Sequence, residues 1–137
     1  MSEPLFLTKK TMRFALLFMF VLIPAAFVKG QTHKGKCGVE IQDVSSVSVL
    51  GYLSAYTVMF RNATENSVDG IYFTAVYYNN EDREVGRTEE SFNSSSLIDP
   101  IAPGVVKSLV RTPAVKGASR TVVTVDRVHF TSGKSCK

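Results

Sequence analysis

The chain has 137 residues, of which 45% are hydrophobic and 20% charged, with two cysteines and a formal net charge of +4. Once a leader is set aside, this length supports one domain and leaves no room for a second core. Lys9, Lys10, Arg13 and Lys29 against Glu3 supply three of the four net charges, so the remainder holds 12 bases against 11 acids. A basic protein seeking nucleic acid is therefore not expected after cleavage.

Residues 1–30 read as a signal peptide. Lys9, Lys10 and Arg13 form a positive start, and Phe14 to Val28 an apolar stretch of about fifteen residues, short for a membrane span and interrupted by Pro24. Val28 and Gly30 fit the small residues that precede a cleavage, which would leave Gln31 first, and Met12 is an alternative start. The competing reading is an uncleaved anchor; with cleavage, no stable membrane insertion is expected. The protein is thus expected to be secreted, with a single domain over 31–137. In an oxidising compartment, Cys37 and Cys136 are expected to pair, and they bracket nearly the whole domain.

From Gly38 onward the apolar residues recur with period two, and β-branched residues dominate. The first region, Val39 to Val49, predicts one long strand or two short ones broken near Asp43 to Ser46. Gly51 marks a turn. Leu53 to Arg61 puts Tyr56, Val58 and Phe60 on one face and Thr57, Met59 and Arg61 on the other. Asn62 to Ser67 has the composition of an exposed turn, and the chain is expected to reverse at Val68-Asp-Gly70 into Ile71 to Tyr78, which is apolar on both sides.

Asn79 to Arg83 predicts a second turn, followed by a short edge strand from Glu84 to Thr88. Glu89 to Ser96 should be solvated, with Leu97 and Ile98 returning to the sheet. Asp99 to Gly104 is a proline-stiffened bend, Val105 to Thr112 alternates again, and Pro113 to Ser119 is a loop. In Arg120 to Thr131 the core-facing set changes sides around Asp126 and Arg127, which a β-bulge would reconcile. About seven antiparallel strands result, and the fold class is all-β, an immunoglobulin-like β-sandwich.

The segments Ala55 to Asn62, Val68 to Asn79, Glu84-Val-Gly86 and Ile98 to Gly104 resemble the FxLYD-type extracellular domain over about half of the mature chain. Phe73, Val76, Tyr77 and Tyr78 lie where the naming motif falls, with Tyr-Tyr-Asn in place of Leu-Tyr-Asp. The resemblance implies a β-sandwich without catalytic residues. A similar order of features occurs in cellulose-binding modules and in small cysteine-bracketed plant ligands. Those modules stack tryptophans on sugars, and this chain has none; Tyr72, Tyr77 and Tyr78 would have to substitute.

Catalytic chemistry finds little support. His33 and His129 are the only histidines, and neither sits in a Gly-x-Ser-x-Gly elbow or comparable context, so no enzyme activity and no catalytic residue is expected. No metal or other cofactor is expected either: Glu81, Asp82, Glu84, Glu89 and Glu90 lack the spacing of a calcium loop and read as charges that solvate turns and blunt a sheet edge. Asn62-Ala-Thr64 and Asn93-Ser-Ser95 are sequons for glycosylation in predicted turns. With Ile71, Phe73, Ala75 and Tyr77 assigned to the core, Tyr72 and Tyr78 face outward and form the candidate binding surface. The expected partner is an extracellular protein, or alternatively a saccharide.

Overall fold

A computed structural model describes residues 33–137; the predicted signal peptide lies outside the described residues. Eight strands follow one another: β1 (Val39–Val49), β2 (Tyr52–Asn62), β3 (Val68–Tyr78), β4 (Glu84–Asn93), β5 (Val106–Arg111), β6 (Val115–Lys116), β7 (Arg120–Phe130) and β8 (Ser135–Cys136). They build two antiparallel sheets, β1-β2-β5 with β6 also on β2, and β4-β3-β7-β8. The chain passes between sheets after β2, after β4 and before β7, the Greek-key wiring of an immunoglobulin-like sandwich. The strand after β3 pairs with β3 itself, whereas the constant-type order puts that strand in the other sheet.

Alternation explains the core. On β2, Tyr56, Val58 and Phe60 are buried, with Leu53 returned to the same face by a register shift at Ser54, and on β3 Ile71, Phe73, Ala75 and Tyr77. The two sheets meet through tilted ring pairs, Phe60 with Phe73 at 5.2 Å and Tyr56 with Tyr77 at 6.1 Å between centroids. Burying each such side chain contributes about 1.5–3 kcal/mol, so this shared layer is the main force joining the sheets. Where the sandwich is open, between edge strands β4 and β5, polar contacts close it: Arg111 Nε lies 3.2 Å from Glu90 Oε2, and Lys107 sits over the Phe92 ring.

The expected disulfide is present. Cys37 occupies a two-residue turn before β1, Cys136 ends β8, and the bond links positions 99 residues apart with Cα atoms 6.0 Å from each other. Beside it, Lys34 pairs with the otherwise open edge of β7 through hydrogen bonds to Val123 O and from Val125 N.

Several boundaries differ from the sequence reading. Val68–Gly70 is no reversal but the start of β3, because Gly70 is needed for close approach: a Cβ there would lie 3.2 Å from the Cβ of His129. Strand β4 runs to Asn93 rather than stopping at Thr88, since Phe92 reaches the core and full-length pairing with β3 outweighs the low strand propensity of Glu89 to Ser91. Leu97 does not return to the sheet and is 93% exposed. Of the two readings of the first region, the one long strand holds, with a bulge at Gln42 in place of a break near Asp43 to Ser46.

Candidate surface site

The outer face of the β4-β3-β7 sheet is a lattice of side chains set by register. Successive rows run Asn93–Gly70–His129, Ser91–Tyr72–Arg127, Glu89–Thr74–Thr124, Arg87–Val76–Val122 and Glu84–Tyr78–Arg120. Tyr72 and Tyr78 thus point outward as expected, three rows apart, and both are half-buried. Each ring is covered by an arginine from β7. The guanidinium carbon of Arg127 lies 3.9 Å from the Tyr72 centroid, and that of Arg120 lies 4.7 Å from Tyr78. Asp82 holds Arg120 in place through a 2.6 Å contact.

The bulge on β7 falls where the phase change placed it. Tyr72 pairs with Arg127 and Phe73 with Val125, leaving Asp126 as the extra residue. Val123, Val125 and Val128 consequently all reach the core, while Asp126 turns outward and accepts a hydrogen bond from Thr74 Oγ1 at 2.7 Å. Tyr72, Arg127, Thr74, Asp126 and Glu89, with Lys137 at the chain end, line a shallow groove of about 440 Å³. Its polar groups are of both signs and its floor is the sheet itself, so it suits contact with a mixed-charge surface rather than enclosure of a small apolar molecule.

Other sequence candidates are dispersed. Tyr77 is core, 1% exposed, with its hydroxyl hydrogen-bonded to Thr88 Oγ1; alternation alone removes it from any sugar platform. The five acidic residues considered for calcium do not converge: Glu81 pairs with Arg83, Asp82 with Arg120, Glu84 with Arg87 and Glu90 with Arg111, while Glu89 faces the groove. The hydrogen bonds from Arg87 hold the Glu84 carboxyl below its usual range. Among the described residues no group of three or more His, Cys, Asp or Glu side chains is placed to hold a metal ion.

His129 lies on the outer face with its Nδ1 2.5 Å from Asp69 Oδ1, and no serine or cysteine side chain is hydrogen-bonded to it among the described residues. His33 instead accepts the Val123 amide hydrogen through Nδ1, and burial holds its pKa below the ordinary value. The Asn62 side chain does not sit in an exposed turn: it is 1% exposed and packed beneath the β2–β3 connection. Asn93 is exposed at the end of β4.

Sequence reasoning missed a second surface. Val47, Val49, Tyr52 and Val110 are exposed on the outer face of β1-β2-β5, and Leu50 at the hairpin tip is 94% exposed. Leu50 and Gly51 both have positive φ, 51° and 78°, so a leucine stands where asparagine or glycine is favoured. The signal was present in the sequence as Val-Leu-Gly-Tyr, an apolar pair around a turn glycine.

No family model matches this chain, and no curated protein matches it. Among solved structures it is similar to a crystal structure of a DUF1425 family member from Shewanella sp. pv-4, at 12% identity, with a TM-score of 0.47 over 64% of this chain and 76% of that one.

Proposed function

We propose that this is an exported, non-catalytic binding domain that recognises an extracellular protein through the outer face of β4-β3-β7. The observation that carries the reading is the pair of tyrosine–arginine stacks, Tyr72–Arg127 and Tyr78–Arg120, on one rigid sheet with a groove beside the first. Tyrosine and arginine are the residue types that dominate binding energy at protein interfaces, and side chains already ordered against each other lose little entropy on association. The FxLYD-type resemblance implies a β-sandwich without catalytic residues, which agrees with the non-catalytic part of this reading and says little about the ligand. A saccharide is the weaker alternative, because a sugar stacks on an open aromatic face and each of these rings already has one face covered by a guanidinium.

The test is a binding screen of the purified domain against a panel of extracellular proteins and a glycan array, with wild type and a Tyr72→Ser/Tyr78→Ser variant. A protein ligand bound by wild type and lost in the variant, at a nearly unchanged melting temperature, supports the proposal. Binding confined to the glycan array overturns the protein reading. A variant that melts far lower, with binding unaffected below its melting range, overturns the surface.

A further inference from the structure

The sequence contains two glycosylation sequons that are equivalent as patterns, and the fold makes them opposite in kind. At the first, the Asn62 amide is saturated. Its Nδ2 donates to Asn66 O at 2.7 Å and to Ile101 O at 2.9 Å, while its Oδ1 accepts from Thr64 N at 3.0 Å and from Thr64 Oγ1 at 2.6 Å. These use both N–H groups and both lone pairs. The side chain therefore clamps the β2–β3 connection onto the segment around Ile101, which itself exchanges two backbone hydrogen bonds with Val68. A substituent on Nδ2 would replace one of the two N–H groups, break one of the two hydrogen bonds that tie the connection to Asn66 and Ile101, and have no exit from a site with 1% exposure.

At the second sequon, Asn93 is exposed and, among the described residues, its Nδ2 donates only to Ser91 Oγ, at 2.9 Å, on its own strand. Asn93 also ends β4, the edge strand of its sheet, and faces the Gly70 row at the border of the Tyr72 end of the candidate surface. A bulky, hydrated group here costs no core contact and shields a free edge against pairing with other chains.

We propose that Asn93 is the acceptor of an N-linked oligosaccharide and that Asn62 is a structural clamp which the folded protein keeps unmodified. In the transfer, the C1–O bond of a lipid-linked oligosaccharyl diphosphate breaks, a C1–N bond to Asn93 Nδ2 forms, the lipid diphosphate leaves and one Nδ2 proton passes to solvent. Transfer precedes folding, so a chain modified at Asn62 is one that cannot close its β2–β3 connection and is not released as folded protein. This inference rests on export through a secretory pathway that carries such a transferase, and is independent of what the domain binds.

The experiment expresses the full chain in a eukaryotic secretory host, once with residues 1–30 and once with those residues replaced by a host signal, so that a failed leader is distinguished from a failed acceptor. Secreted protein is deglycosylated by an amidase in heavy-oxygen water, which converts each formerly glycosylated Asn to a mass-tagged Asp, and is mapped by peptide mass spectrometry. The expected tag is on residue 93 alone, and Ser95→Ala, which breaks the sequon but keeps Asn93, abolishes it in secreted protein of unchanged melting temperature. A tag on residue 62 in secreted, folded protein, or no tag on residue 93 with the host signal in place, overturns the proposal.

Discussion

Arg127 lies over Tyr72, its guanidinium carbon 3.9 Å from the ring centroid, and the two side chains come from strands that pair at this residue. A half-exposed stack of this kind contributes about 0.5–1 kcal/mol. Arg127→Ala should therefore lower stability by no more than about 1 kcal/mol by denaturant unfolding, while Arg127→Lys, which keeps the charge but loses the planar stack, should weaken partner binding nearly as much as Arg127→Ala. Full binding by the lysine variant would show that charge, and not the stacked pair, is what the partner reads.

Asp126 has a positional role separate from its chemistry. Asp126→Asn retains an acceptor for Thr74 and should shift stability by less than about 1 kcal/mol. Deleting Asp126 removes the bulge and drives either Val123 and Val125 or Val128 out of the core, since one residue of slip inverts every side chain beyond it. The deletion should cost more than about 4 kcal/mol and yield little folded protein by circular dichroism. A cooperatively folded deletion variant close to wild-type stability would refute this account of the bulge.

At the β1–β2 hairpin, Leu50 combines a left-handed backbone with near-complete exposure. Neither feature adds to folding. Leu50→Asn supplies the residue preferred at this position of a type I′ turn and should raise stability by roughly 0.5–1 kcal/mol, seen as a higher melting temperature. If it instead destabilises the domain, the leucine makes a contact that its exposure does not reveal.

His33 predicts a pH dependence of defined sign. Desolvation by burial is the largest influence on it and lowers its pKa from 6.5, with Asp43 opposing and Arg120 reinforcing. The unfolded chain therefore takes up a proton before the folded one as pH falls. The stability associated with His33 is complete above about pH 6.5 and declines below it, through the depressed folded value, as protonation also removes the acceptor for the Val123 amide. The slope of melting temperature between about pH 8 and about pH 5 should be shallower in His33→Gln than in wild type. Equal slopes would show that the residue 33–36 segment stays docked irrespective of charge.

The sequence by itself determined the all-β class, the core faces of β2 and β3, the outward direction of Tyr72 and Tyr78 and the position of the β7 bulge. It did so because period-two burial is a local property: once Phe60 or Phe73 is inside, its neighbours must be outside. The sequence also determined which cysteines can pair, there being only two.

What depends on which strands lie side by side was not legible. Arg127 and Arg120 reach the tyrosines only because β7 pairs with β3 in this register, and Asp69 meets His129 for the same reason. Gly70 reads as a turn residue in isolation and proves to be the close-packed neighbour of His129. Asn62 and Asn93 are alike as sequons; tertiary packing buries one against Ile101 and leaves the other in solvent, because hydrogen-bond partners 39 residues away exist only once the two sheets have closed.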